Sequence, residues 1–310
     1  VDFSFTDEQQ ELKREARRWL TERYPLDRDF EAEDDRWGEL AELGWLGVSV
    51  PEEEGGAGLG FVEEAILLEE LGYALYPGPY LATVGYALPL LGPEERMQVA
   101  AGETRWSVEI HGLVPWLGSV DLVEADGGTA YPAAGEELPT VDPTRPLGRL
   151  ERGGGTPLPG KRSLPRMRAA DACEAVGIAQ RALELGIAHV SSREQFGRPI
   201  GVYQAVSHAL ADTYADVELA RSLAYWAAWC VATGDEQAAV AAAAAKSFAA
   251  EAAVAACERS IQVHGGTGFT WEHPLHRFYK RALWLQGMGA SPARLRAQVA
   301  DLVLGSPVSV

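Results

Sequence analysis

Apolar residues recur at helical spacing towards both ends of the chain, and short runs broken by glycine and proline lie between them. Leu12, Ala16, Trp19 and Leu20 mark one face of a first helix. Thr6 before Asp7-Glu8 fits an N-cap with acids in the first turn, where they favour the helix dipole. Trp37, Leu40, Ala41 and Leu43 mark a second helix, ended by Gly44. Residues 51–60 read as a loop, because their glycines and proline cannot hold a helix. Ile66, Leu67, Leu68 and Leu71 face inward on a third helix that stops near Gly72. From 102 to 158 the pattern changes: 106–110 and 120–123 read as strands between turns. Gly153-Gly154-Gly155 with Pro157 and Pro159 reads as a linker. Long periodic segments then return over 169–192, 204–233, a stretch from Asp235 to His264, and 291–304. Four long helices with short joints predict a bundle. The expected fold is mainly α with a small β-domain: N-terminal helices over 1–101, a short middle β-domain over 102–160 and a C-terminal helical bundle over 161–310.

Composition narrows the function classes. The chain has 310 residues and an ordinary globular balance, with 47% apolar and 23% charged residues. A net charge of -18 argues against nucleic-acid binding, which needs clustered Lys and Arg. An acidic surface still permits a local basic pocket for a phosphorylated ligand. Cys173, Cys230 and Cys257 form no CxxC pair and sit in Ala-rich, helix-like segments, so they read as buried thiols in a reducing compartment. The N-terminus is acidic and polar, unlike a signal peptide, and the apolar run 238–245 is too short to span a bilayer. A soluble cytoplasmic protein without metal ligands is expected.

Two stretches carry candidate chemistry. Arg193-Glu194-Gln195-Phe196-Gly197-Arg198-Pro199-Ile200 puts an arginine at the end of a helix, before a tight turn and Gln204. A guanidinium at such a corner suits a pyrophosphate, although an ion pair with Glu194 explains it as well. Gln262-Val263-His264-Gly265-Gly266-Thr267-Gly268-Phe269 clusters glycines whose backbone N–H groups can approach a ligand closely; a plain turn explains them about equally. Their spacing is not that of a Rossmann nucleotide site.

Taken together, these segments resemble the acyl-CoA dehydrogenase family along almost the whole chain. The resemblance also rests on Phe3-Ser4-Phe5-Thr6-Asp7-Glu8-Gln9-Gln10, on Leu43-Gly44-Trp45-Leu46-Gly47-Val48-Ser49-Val50-Pro51-Glu52 with Gly55-Gly56, and on Leu68-Glu69-Glu70-Leu71-Gly72. It implies N-terminal helices, a middle β-domain and a C-terminal four-helix bundle, with FAD and acyl-CoA thioesters as ligands. It also implies α,β-dehydrogenation, in which a glutamate removes the α-proton while hydride leaves Cβ for the flavin. The α-proton is weakly acidic, so such a base needs a raised pKa and a polarised thioester.

The departures from that pattern are ordered. The family's usual Glu, directly before Gly-Thr-Ser-Gln, is Met288 before Gly289-Ala290-Ser291-Pro292. The family's alternative base lies ten residues before the Gly of a motif that is Val176-Gly177-Ile178-Ala179-Gln180 here, and that position is Met167. Asp171, one turn beyond Met167, is the fallback base. The flavin-cradling Thr-Glu-Pro-(x)-Gly-Ser-Asp stretch of the middle domain is missing, and Trp106 and Trp116 are expected to pack in the core instead. In the family each FAD lies between two subunits. What this chain keeps is the neighbour's contribution: Arg193, Phe196, Gln204, Gln262, Gly265 and Gly266.

The resemblance therefore implies an FAD-completing subunit of an α2β2 heterotetramer, whose homologous catalytic partner carries the base and most acyl-CoA contacts. An electron-transferring flavoprotein is the expected acceptor, and a bulky or steroid side-chain acyl-CoA the expected substrate class. The alternatives are a self-sufficient homo-oligomeric dehydrogenase using Asp171, or a flavin-free scaffold or acyl-CoA-binding protein.

Overall fold

The computed structural model describes residues 5–28 and 34–305. Phe3 and Ser4 of the N-terminal motif lie outside them. Helix α1 (Asp7–Arg23) is capped as its sequence predicts. The Thr6 hydroxyl accepts from the Gln9 N–H at 3.2 Å, and the Gln9 side chain accepts from the Thr6 N–H at 3.0 Å. A cap of this kind contributes about 1 kcal/mol. Helix α2 (Trp37–Glu42) ends just before Gly44, which sits at φ +73°. The 51–60 loop holds a short 3₁₀ turn, Glu52–Glu54. Helix α3 (Phe61–Ala74), a buried π-helical turn (Leu81–Ala87) and α4 (Pro93–Ala100) complete the N-terminal region.

The middle region contains β1 (Trp106–Val108), β2 (Val114–Pro115), β3 (Leu122–Ala125), β4 (Thr129–Pro132), β5 (Gly135–Leu138), β6 (Leu147–Leu150) and β7 (Thr156–Pro157). They form two small sheets, ordered β1-β3-β4-β7 and β2-β6-β5. Among the described residues, only β1 and β3 pair in parallel, with Trp106 opposite Leu122. The three glycines read as a linker lie instead inside this region, between β6 and β7. A Cβ on Gly155 would press on Thr129 and Tyr131, so glycine is needed for packing there. Trp106 and Trp116 are both buried in the core, as expected.

The C-terminal region holds α5 (Leu164–Ser192), a hairpin of β8 (Glu194–Gln195) and β9 (Arg198–Pro199), then α6 (Gln204–Thr233), α7 (Ala238–His264), α8 (Leu275–Gly287) and α9 (Pro292–Leu304). Three sequence expectations are corrected here. Helix α7 starts at Ala238, because Asp235 turns the chain first: its carboxylate accepts from the Gln237 N–H at 2.8 Å. Helix α8 was not anticipated. Helix α3 does not stop at Gly72 but runs through it to Ala74, and a Cβ at Gly72 would strike the Glu174 carbonyl of α5. Gly177 of α5 answers it, where a Cβ would strike the Glu69 carbonyl of α3. These two glycines let the helices cross at backbone contact.

Helix α7 is central and packs on α5, α6, α8 and α9. It is long and apolar enough to cross a bilayer by length and composition, but most of that stretch is buried inside the bundle. The three cysteines are free and buried, and burial pushes the Cys173 thiol up to about 12. A buried charge network ties the middle region to the bundle. Arg281 of α8 meets Asp142 at 2.5 Å and Glu174 of α5 at 3.1 Å. Arg145 pairs with Glu174 and lies 4.3 Å above the Trp116 ring.

Candidate functional site

The arginine and glycine stretches meet at one end of the bundle, where α5 and α7 finish side by side. His189, in the last turn of α5, stacks on His264, the last residue of α7, with ring centroids 4.1 Å apart. His273 leans on His264 from the following loop at 4.4 Å. Arg193 caps α5 one turn after His189, and Gly265-Gly266 leave α7 directly after His264. The histidine stack thus fixes the spacing of the two ligand-binding candidates. Burial, then the neighbouring His264, His189 and His276, push the His273 imidazole down to about 4. Burial lowers His189 too, helped by His264 and Arg193.

Beyond Arg193 the chain makes the β8–β9 hairpin. Its two-residue turn, Phe196-Gly197, has φ of +54° and +77° at its two positions, the geometry of a tight hairpin. Glycine takes this conformation freely, whereas for phenylalanine it costs about 1–2 kcal/mol. The Phe196 ring is nonetheless 93% exposed. Behind it lies a groove of about 710 Å³ lined by Phe196, Tyr203, Val206, Arg259 and Gln262 among others. Gln204 opens α6 beside this groove, next to Tyr203.

The polar candidates are uncommitted. Among the described residues, the Arg193 guanidinium has no hydrogen bond or ion pair, so the Glu194 pairing does not form. Gln204 and Gln262 are exposed, and their side chains make no hydrogen bond there. The glycines separate into kinds. Gly265 needs to be glycine for its backbone, at φ +61° and ψ -140°. Gly268 needs it for space, against the Ile261 carbonyl. Gly266 needs it for neither reason, since a Cβ there would meet nothing within 4 Å and its φ is ordinary. A plain turn therefore accounts for Gly265 and Gly268 but leaves Gly266 unexplained.

The positions at which the resemblance led us to expect a base lie elsewhere, around a cavity of about 940 Å³ between α5, α9 and the α8–α9 joint. Met167, Asp171 and Met288 all line it. Asp171 is buried and fully engaged. Lys246 of α7 donates to it at 2.6 Å, and the Tyr86 hydroxyl donates to its other oxygen. Lys246 also donates to the Met288 carbonyl at 2.7 Å.

Comparison with known proteins identifies the family. Residues 6–96 match the model of the acyl-CoA dehydrogenase N-terminal domain, and residues 153–304 that of the C-terminal domain. The acyl-CoA dehydrogenase IpdE2 of Mycolicibacterium smegmatis is 33% identical over 89% of this chain and 92% of its own length. The chain belongs to the acyl-CoA dehydrogenase family. Among solved structures, the Tcur3481-Tcur3483 steroid ACAD is 28% identical with a TM-score of 0.84, covering 98% of this chain and 99% of that one. The ChsE4-ChsE5 complex from Mycobacterium tuberculosis, 24% identical, shares the fold with a TM-score of 0.84 over 99% of this chain and 100% of that one.

For an acyl-CoA dehydrogenase the cavity is short of chemistry. A methionine thioether cannot accept a proton at neutral pH, and methionines, Met167 and Met288, stand where the sequence led us to expect a base. Asp171, the fallback, is already neutralised by Lys246. Sequence reasoning missed Lys246, Tyr86 and the histidine stack. A single lysine inside an alanine-rich helix was a visible signal for the first. Tyr86 and the histidines gave none, because their partners are remote in sequence.

Proposed function

We propose that this acyl-CoA dehydrogenase chain is a non-catalytic subunit that completes the FAD site of a homologous catalytic partner in an α2β2 heterotetramer. The observation that carries the reading is the uncommitted set at the hairpin. Arg193, Gln204 and Gln262 have no partner side chains, Gly266 has no internal reason to be glycine, and Phe196 is held strained and exposed at the hairpin turn. Such a set is costly for the chain alone and suited to a phosphate-bearing ligand shared across an interface. FAD bound there supplies the oxidising equivalent for α,β-dehydrogenation of the acyl-CoA held mainly by the partner. Arg193 offers its planar fork to the pyrophosphate, and Gln204 and Gln262 orient neighbouring polar groups. Gly265 and Gly266 let backbone N–H groups come close, and Phe196 shields the edge of the cofactor. The domain limits 1–101, 102–160 and 161–310, a cytoplasmic setting and an electron-transferring flavoprotein as acceptor belong to the same reading. A bulky or steroid side-chain acyl-CoA is the substrate class we favour, supported by the steroid ACAD among the similar structures.

The test is purification of the chain alone and with its partner. The expected result is flavin absorbance and turnover only in the complex. Arg193→Ala should weaken flavin binding by about 10–100-fold, the value of one or two charge-assisted hydrogen bonds, with an unchanged far-ultraviolet dichroism spectrum. Full flavin loading and dehydrogenation by the isolated chain would overturn the reading. The Asp171-dependent, self-sufficient enzyme has the Lys246 pairing against it. The flavin-free scaffold is the outcome if the complex is colourless.

A further inference from the structure

The chain's lysines are Lys13, Lys161, Lys246 and Lys280. Lys161 is exposed, Lys280 lies over the Trp271 ring, and Lys246 is spent on Asp171 and the Met288 carbonyl. Lys13, on α1, has a different setting. Its Nζ donates to Glu69 at 2.7 Å and lies 3.6 Å from Glu70, two carboxylates of α3 that are wholly buried. Arg17 also claims Glu70, at 2.9 Å, and Arg221 of α6 also claims Glu69. The Tyr225 hydroxyl of α6 donates to Glu69 at 2.6 Å, and Cys173 of α5 faces the cluster as a neutral thiol. Glu218 meets Arg221 at 3.4 Å from the rim, where it is 44% exposed and screened by water, and Glu184 stands beside Arg17 in a similar position.

Three cations thus share two buried carboxylates. The lysine is the one of the three that can shed its charge, because a guanidinium keeps its proton in proteins. Burial above all, then Arg221 and Arg17, pulls the Lys13 ammonium down to about 8, against the opposing effect of Glu70. At pH 7.5 such an amine is about one quarter free, more than about a hundredfold above an ordinary lysine. Lys13 is also reachable: its side chain is 24% exposed and lines an open groove of about 710 Å³ with Arg14, Arg17 and Arg18. Arg14 and Arg18 stand one turn apart on one side of α1. They are held by exposed pairs with Glu11 and Glu15 of their own helix, which are weak and exchange readily for another anion.

We infer that Lys13 is an acylation site, taking the acyl group of an acyl-CoA thioester whose phosphates lie along Arg14 and Arg18. The free amine attacks the thioester carbonyl carbon. The Nζ–C bond forms, the C–S bond breaks, and CoA leaves as a thiolate that takes up the proton lost by the nitrogen. The amide product is uncharged, so Arg17 and Arg221 then balance Glu70 and Glu69 one to one. The site is separate from the hairpin groove and from the cavity around Met288, and it stands whether or not the hairpin groove completes a flavin site.

Incubation of the full chain with acetyl-CoA, with each lysine followed by peptide mass spectrometry, tests this. At pH 7.5 Lys13 should gain acetyl at least about tenfold faster than Lys161. Its rate should rise with pH and level off above about pH 8.5, where the amine is free, whereas a solvated amine keeps climbing to about pH 10. Arg17→Gln, which removes a competing cation, should slow Lys13 several-fold at pH 7.5 and move the plateau upwards. N,S-diacetylcysteamine, a thioester without phosphates, should favour Lys13 over Lys161 less than acetyl-CoA does. Equal selectivity with that donor overturns the role given to Arg14 and Arg18. Acetylation of Lys13 no faster than that of Lys161, or a rate that climbs to about pH 10 without levelling, overturns the inference as a whole.

Discussion

The Asp171 carboxylate has two donors, Tyr86 and Lys246, and they determine what it can do. A general base works best when its charge is not already balanced by a neighbouring cation. Here both oxygens are held, and the lysine that holds one of them also anchors the Met288 carbonyl. Removing one partner of such a pair leaves a lone buried charge. Lys246→Met should therefore lower stability by about 3–5 kcal/mol in urea unfolding, and combining it with Asp171→Leu should recover most of that loss. Asp171→Asn should leave turnover of the partnered enzyme unchanged. A collapse of turnover in a stably folded Asn variant would restore Asp171 as the base. The two methionines were legible in the sequence because motif position alone reveals them. The engagement of Asp171 was not, because Lys246 lies 75 residues away and only the α5–α7 packing brings them together.

Helices α3 and α5 illustrate what a pattern of residue types hides. A glycine within a helix costs about 1 kcal/mol relative to alanine, so Gly72 reads as a stop. Its actual role, like that of Gly177, is to admit the carbonyl of the facing helix. The two effects have opposite signs in one experiment. Gly177→Ala should gain about 1 kcal/mol if propensity decides, but lose about 1–3 kcal/mol if the contact with the Glu69 carbonyl decides. The structure predicts the loss, measurable by thermal or denaturant unfolding. Helix α8 escaped notice for a related reason. Its apolar stripe, Leu275, Phe278, Ala282 and Leu285, is interrupted by Arg281, which occupies the buried face because Asp142 and Glu174 neutralise it there. The cap at Thr6, by contrast, is a local device, and its sequence signature was sufficient.

Across the whole molecule, the ligand-binding candidates and the lost base face separate concavities, one at the α5–α7 end and one between α5 and α9. The histidine stack makes the first of these sensitive to acid. His273 takes up a proton near pH 4 in the folded chain and near 6.5 when unfolded. Between those values the unfolded state binds more protons, so this contribution to stability is full above about pH 6.5 and is lost as the pH falls towards 4. His273→Gln should flatten the melting temperature of the chain over that window relative to the unsubstituted protein. An identical pH profile in the variant would show that folding does not depress the His273 imidazole.

One feature of the hairpin end reaches beyond binding. Phe196, Phe269 and Trp271 are 93%, 71% and 74% exposed. Aromatic rings left in water promote self-association when they gather into a patch. Under the proposed partnership, the quantity of soluble chain that a cell can hold would be set by the supply of the subunit that covers those rings, and matched synthesis would follow from the fold's surface, quite apart from any requirement of catalysis.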